Sequence, residues 1–271
     1  MVYVIKANGE RAKFDREKIL RTCERSGVPK DVAERIVSEV EQNVREGTTT
    51  KDILTWVLAK LNKYEQAHSK KYELKQALAA LEPGEHEFEK YISHLFRAHG
   101  YETEWNKIVQ GECIEHQMDV IVEKDGKKYL VECKHHVNPH RFCDLGTVIQ
   151  TWARFDDINK GPNKGVYDNI MLVTNTKFSE HGTRYAKAKG TLLVGWNYPP
   201  DGDLRSMIDD KSIYPLTILN IEKKVHEKLS KAGILLIEEL AESDIGELYG
   251  KTEVSRKVLE KLQGKARAML A

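Results

Sequence analysis

The sequence predicts an α+β chain of several domains. A β-hairpin should lead a small helical bundle, a mixed sheet flanked by helices should follow, and a small all-α segment should close the chain. Three observations predict this. The 271 residues exceed what one ordinary domain holds. Through the middle of the chain, short apolar runs of period two alternate with amphipathic stretches of helical length. Pro83-Gly84 and Tyr198-Pro199-Pro200 break the pattern on either side of that middle part. The expected domains are 1–82, 83–200 and 201–271.

Val2–Ile5 alternates as a short strand, Asn8-Gly9 signals a turn, and Arg11–Phe14 reads as a returning strand. Asp15 is a good N-cap for a helix from Arg16 to about Ser26, with Ile19, Leu20 and Cys23 on one face. Further helices are expected over Asp31–Arg45, Lys51–Tyr64 and Ser69–Leu81, the third capped by Thr48-Thr49-Thr50. In the middle, His86–Gly100 has the apolar stripe of an amphipathic helix and Glu102–Val109 reads as a strand. Gly146–Asn159 and Glu180–Gly190 should be helices, and Asn169–Thr174 and Thr191–Trp196 strands. The stretch from Asp201 to Pro215 reads as a linker, and a run of short helices with a Gly233 turn should end the chain.

Charged residues make up 31% of the chain and hydrophobic ones 40%, an ordinary globular balance. No apolar run approaches the ~20 residues that span a bilayer, and Met1–Phe14 lacks the long apolar centre of a signal peptide. A cytoplasmic protein with no membrane association is expected. Four scattered cysteines do not make a disulfide framework. The net charge is +1, so any nucleic-acid face must be a local patch.

The central chemistry lies between Met118 and Lys134. Met118–Glu123 and Lys128–Lys134 read as strands joined by a turn at Lys124–Lys127, and Asp-Gly between such runs is a strong hairpin signal. Alternation puts Glu132 and Lys134 on one face, with Val131 and Cys133 on the other. Antiparallel pairing returns Asp119 towards Glu132. Two carboxylates and a lysine then converge at one end of a hairpin. Carboxylate oxygens suit Mg²⁺ or Mn²⁺, such an ion activates water and neutralises phosphate charge, and a lysine can stabilise developing negative charge.

The pattern Asp119, twelve residues, Glu132-Cys133-Lys134 resembles the PD-(D/E)xK nuclease superfamily. The flanking helices and the Met171–Ser179 stretch resemble its Mrr-type restriction endonuclease subgroup over roughly 83–200. The resemblance implies DNA as substrate, Asp119, Glu132 and Lys134 as catalytic residues, and a metal held at Asp119, Glu132 and Cys133. It further implies a site glutamate at Glu89, on the helix before Gly100-Tyr101, and a site-facing amide at Gln150.

The first 82 residues resemble the ATP-cone, a regulatory nucleotide-binding module. The matches are Val4–Gly9, Phe14–Ile19 and Thr48–Ile53. The resemblance implies ATP or dATP as ligand, with Lys6 and Lys18 on phosphates beside Asn8-Gly9, Asp15 placing the nucleotide, Thr50 near the phosphates and Lys75 a further contact.

Other readings stay open at this point. Cys113-x-x-His116 and His140-x-x-Cys143 could together hold zinc. His116 and His136 could instead flank the site, with the cysteines packed as small hydrophobes. The last segment resembles helix-hairpin-helix modules, whose glycine turn offers amides to phosphate, but its 12 basic and 13 acidic residues fit a protein-interaction module equally. The functional reading is a nucleotide-regulated, Mg²⁺-dependent DNA endonuclease, active as a homodimer if it cuts both strands. The alternative is an ATP- or dATP-sensing regulator whose nuclease fold binds DNA without cutting. Nucleotide contact at Lys75 is expected to shift the helix bearing Glu89.

Overall fold

The computed structural model describes residues 2–6, 9–25, 28, 30–64 and 66–270; the side chains of 31, 62–64 and 66–72 lie outside that description. The described residues form an α+β chain dividing into two compact units, 1–73 and 74–271. In the first unit, β1 (Tyr3–Ile5) pairs antiparallel with β2 (Arg11–Lys13), with Tyr3 opposite Lys13 and Ile5 opposite Arg11. Gly9 has φ 82°, the left-handed conformation that glycine adopts without steric cost. Helices α1 (Arg16–Arg25), α2 (Lys30–Glu41) and α3 (Thr50–Tyr64) follow. Their apolar faces meet in a core of Ile19, Leu20, Cys23, Ile36, Val37, Val40 and Val57. Helix α4 (Gln66–Ala79) crosses the division between the units, and its Leu74 and Leu78 are buried in the core of the second.

The second unit is built on a five-stranded mixed sheet in the order β3-β4-β5-β7-β9. Strands β3 (Glu102–Gln110), β4 (Glu115–Lys124) and β5 (Lys127–Lys134) are antiparallel neighbours. Parallel to β5 run β7 (Asn169–Thr174) and then β9 (Leu192–Val194). Between β5 and β7 lie a short strand β6 (Phe142–Cys143) and helix α6 (Leu145–Lys160). Strand β8 (Lys177–Phe178) and helix α7 (Glu180–Lys189) lead to β9. One face of the sheet carries Val120, Val122, Val131 and Val173 against Phe88, Tyr91, Ile92 and Leu95 of α5 (Glu87–Ala98). The other buries Met118, Ile121, Leu130 and Ile170 against Ile158 of α6.

The Asp-Gly hairpin forms as its chemistry requires. Asp125 (φ 53°) and Gly126 (φ 72°) both take positive φ, the two-residue turn whose twist matches the flanking strands. The strands extend one residue further than the sequence pattern predicts, since Lys124 pairs with Lys127.

The stretch read as a linker is a helix, α8 (Leu204–Lys211). Asp203 caps it by accepting from the Ser206 amide at 2.8 Å, and Leu204 and Ile208, four residues apart, are buried in the sheet–α5 core. Helices α9 (Lys223–Lys231), α10 (Ile237–Glu242), α11 (Ile245–Thr252) and α12 (Arg256–Leu270) enclose a core of Leu229, Ile237, Leu240, Leu259 and Ala266. This part also binds the front of the sheet unit. His226 lies 3.5 Å from the buried Glu87 carboxylate, and the Tyr91 hydroxyl donates to the Ile213 carbonyl at 2.6 Å. The amides of Gly233 and Ile234 donate to the Ser230 and Leu229 carbonyls at 2.9 and 3.0 Å. The glycine turn therefore spends these donors on ending α9, and they do not face outward as a phosphate cradle.

Candidate active site

Asp119 sits where the β3–β4 ladder is disturbed. Trp105 pairs with Val120 and Lys107 with Met118, while Asn106 between them has φ 54°. Side-chain alternation shifts there: Met118 and Ile121 share one core, and Val120 and Val122 the other. The Asp119 carboxylate turns to β5 and accepts the Cys133 amide at 2.7 Å. Burial raises its pKa and the Cys133 bond lowers it, with Glu89 pushing it up further.

Glu132 lies on the α6 face, as its parity requires. It accepts Arg154 Nη1 at 2.7 Å, and the same nitrogen donates to the Gln117 carbonyl at 3.2 Å. Despite that cation, its pKa is pushed up to about 7, chiefly by burial and then by the charge of Asp119. Glu89 projects from the first turn of α5, is 19% exposed and lies 3.9 Å from His86 Nδ1. Burial is the main cause that raises the Cys133 thiol pKa, and the charges of Asp119, Glu89 and Glu132 add to it.

Asp119 and Glu132 are thus held at the end of β5 at a cost in desolvation, and Glu132 also in repulsion from Asp119. Hard oxygen donors in that state are the set a divalent cation relieves. The residues fit such an ion at Asp119 and Glu132, with Glu89 alongside. The Cys133 side chain does not: it is 8% exposed in the apolar core with Val120 and Val131, and burial pushes its thiol far up. The expectation of metal at Cys133 is corrected for its thiol, because alternation turns that atom away from Glu132. Lys134 is exposed and opens a groove of about 630 Å³ with His136, Arg141 and Phe142.

Gln150 lines a second cleft of about 630 Å³, one helical turn from Arg154. Arg154 is the functional candidate that the sequence reading missed; the i, i+4 spacing from Gln150 on α6 was the available signal.

The zinc set does not assemble. Cys143 is fully buried beside Val148 and Leu172, and His140 is exposed. Cys113 and His116 are held by Asp157, which accepts the Cys113 amide at 2.9 Å and His116 Nε2 at 2.8 Å. Those bonds lower the Asp157 pKa to about 2. Among the described residues, the trio of metal-ligand types closing within 4.8 Å is Glu112, Cys113 and Asp157. Glu89, Asp119 and Glu132 are set wider than that, with Glu132 drawn to Arg154.

In the first unit the predicted nucleotide residues divide. The Ile5 amide donates to the Thr48 carbonyl at 3.0 Å, so the end of β1, Lys6 and the N-terminus of α3 at Thr50 lie together. Thr49 and Asp52 bond reciprocally there as a capping box. Lys6 pairs with Glu10 at 3.0 Å. Asp15 caps α1 by accepting the Lys18 amide at 3.1 Å, and it follows the hairpin end remote from Gly9. Asn8 lies outside the described residues. Lys75 belongs to the second unit, its ammonium 5.9 Å from the centre of the Trp196 ring.

Comparison with known proteins places the boundary a few residues later than the division at 73/74 and keeps Lys75 within the first match. A family model for the ATP cone domain matches residues 2–79, and one described as restriction endonuclease, of Mrr type, matches 80–196. An uncharacterised protein of Archaeoglobus fulgidus is 40% identical over 144 residues, covering 53% of this chain and 80% of the relative. The crystal structure of AF1548, a protein of unknown function, is similar with a TM-score of 0.59 and 33% identity, over 68% of this chain and 96% of that one. The MspJI restriction endonuclease bound to a 27-mer oligonucleotide is a distant likeness, 15% identical with a TM-score of 0.35, over 54% of this chain and 36% of that one. No helix among the described residues is long and apolar enough to cross a membrane.

Proposed function

The chain belongs to the Mrr-type restriction endonuclease family and carries an ATP-cone ahead of that domain, and from this premise we propose that it is a nucleotide-regulated, Mg²⁺-dependent DNA endonuclease. The observation that carries the reading is the pair of partly buried carboxylates at the end of β5, Asp119 held by the Cys133 amide and Glu132 by Arg154, with Lys134 two residues on. A chain that only bound DNA would not need Asp119, Glu132 and Lys134 together.

Asp119 and Glu132 would hold Mg²⁺ or Mn²⁺, which when bound supplies a more acidic water and neutralises charge on the scissile phosphate. The Cys133 amide fixes the Asp119 carboxylate, and Arg154 fixes Glu132. Lys134 stabilises negative charge on the phosphate oxygens or orients the attacking water. Gln150 and Arg154 border the cleft on the α6 side, where the phosphate backbone can lie.

ATP or dATP is the regulatory ligand in this reading. Its phosphates lie at Lys6, Gly9 and Thr50, where a helix N-terminus and an ammonium group favour anions. Helix α4 is the path for regulation in this reading, since its Leu74 and Leu78 pack in the core that holds α5. Cutting both strands would call for two copies of the chain.

The test is cleavage of duplex, single-stranded and branched DNA in Mg²⁺, with and without ATP or dATP, by the unmodified protein and by Asp119→Ala. Metal-dependent cleavage lost in the variant supports the reading. DNA binding that responds to nucleotide, with no cleavage in Mg²⁺ or Mn²⁺, would instead favour the non-cutting regulator.

A further inference from the structure

A groove opens on the far side of Lys134 from Arg154. It is lined by Lys134, His136, Asn138, Arg141, Phe142 and Thr147, among others. Phe142 is 57% exposed in it, although its backbone is fixed. Phe142 pairs with Lys177 of β8, and its neighbour Cys143 is fully buried. Alternation therefore turns the Phe142 ring outward. The buried Asn175 clamps the same loop, accepting the His136 amide at 2.9 Å and donating to the His136 carbonyl at 2.9 Å.

Three further observations concern charge and hydrogen bonding. Among the described residues, no ion pair holds Lys134, Arg141 or Lys177, whereas Arg154 is paired with Glu132. The acid in the groove, Asp144, is committed to capping α6 through the Thr147 amide and hydroxyl at 2.9 and 3.1 Å. The Nε2 atom of His136 is buried and has no hydrogen-bond partner. A rigid, exposed aromatic ring among unpaired cations is the chemistry of a strand-binding platform: cations follow the phosphates and the ring takes the face of a base.

Bases inside continuous duplex are stacked and offer only their edges. Only an unpaired nucleotide or a strand end can present its face to Phe142. We propose that the substrate is DNA carrying an unpaired nucleotide next to the scissile phosphate, with that base stacked on Phe142 and the flanking phosphates on Arg141 and Lys177. This deepens the endonuclease reading and rests on it, because Lys134 is shared by the groove and the cutting site.

The test uses the full chain in EDTA, so that DNA is bound and not cut. The probes are a continuous duplex and the same duplex with one bulged 2-aminopurine. The unmodified protein should bind the bulged duplex more tightly and quench its fluorescence. Phe142→Ala should weaken that binding by about 5- to 150-fold, the value of one base–aromatic stack, and remove the quenching. It should change binding of continuous duplex by less than about twofold, and Phe142→Trp should restore both signals. An unmodified protein that cuts duplex DNA in Mg²⁺ but shows no preference for the bulge overturns this proposal and leaves the endonuclease reading standing. So does a Phe142→Ala protein that keeps the preference, or one that changes only self-association. A folded protein that neither binds nor cuts any DNA removes both.

Discussion

The hairpin of the second unit and the nucleotide end of the first differ in how their charges are kept. At the end of β5, burial raises the pKa of both Asp119 and Glu132, and the charge of Asp119 raises that of Glu132 further. At the end of β1, Lys6 is about half exposed and already paired with Glu10. Buried like charges are costly, so the hairpin carries its carboxylates at an energetic penalty. Solvated lysines cost little and leave no such trace. The lesson is that a candidate metal site shows in the energetics of its carboxylates, while a candidate phosphate site shows in where backbone and cations converge.

The largest expected effect breaks the hairpin's chemistry while sparing the fold. Asp119→Ala, Glu132→Ala and Lys134→Ala should each lower cleavage by at least ~100-fold. Circular dichroism should show an unchanged fold, since removing a strained carboxylate does not weaken the core. Loss of the fold in Asp119→Ala would make Asp119 a structural staple for Cys133 and end the comparison.

Next comes the nucleotide end. Lys6→Ala and Thr50→Ala should weaken ATP or dATP binding by about tenfold each in calorimetry, with little change in melting temperature. Lys75→Ala should leave that affinity unchanged and lower the stability of the second unit, because its ammonium lies over Trp196. Weakened nucleotide binding in Lys75→Ala alone would reverse the assignment.

A smaller effect tests the strain itself. Glu132 has a folded-state pKa of about 7, raised above its ordinary value of 4.5. A carboxyl raised in the fold is protonated more readily there than in the unfolded chain. Its penalty is therefore absent below about pH 4.5, grows as pH rises, and is complete above about pH 7. In EDTA, Glu132→Gln should melt a few degrees above the unmodified protein at pH 8 and show less advantage at pH 5. An equal difference at both pH values would mean that the strain is not there. Arg154→Gln removes the partner cation and should lower the melting temperature at pH 8, by about 1 kcal/mol of stability after allowance for its exposure.

Much of this was legible in the sequence. Asp125-Gly126 dictated the hairpin turn, and parity along β5 put Glu132 on one face and Cys133 in the core. The helix expected over Gly146–Asn159 is α6, Leu145–Lys160. What was not legible depended on packing. Leu204 and Ile208 make a helix of a polar stretch only because α5 and the sheet lie beneath them. Arg154 is an unremarkable charge on α6 until β5 brings Glu132 under it. Cys113-x-x-His116 has zinc spacing, yet Asp157 spends its hydrogen bonds on holding that loop to α6. Lys75 was expected as a nucleotide contact, and the contact with Trp196, 5.9 Å from its ammonium to the ring centre, could not be read from the sequence.

The most direct test of the carboxylate site is calorimetric titration of the full chain with Mn²⁺, which reports binding without requiring DNA. The unmodified protein should bind Mn²⁺, Asp119→Ala and Glu132→Ala should each abolish or strongly weaken that binding, and Asp157→Asn should keep it. Binding unchanged in Asp119→Ala and Glu132→Ala but lost in Asp157→Asn would put the ion at Glu112, Cys113 and Asp157 and contradict the account.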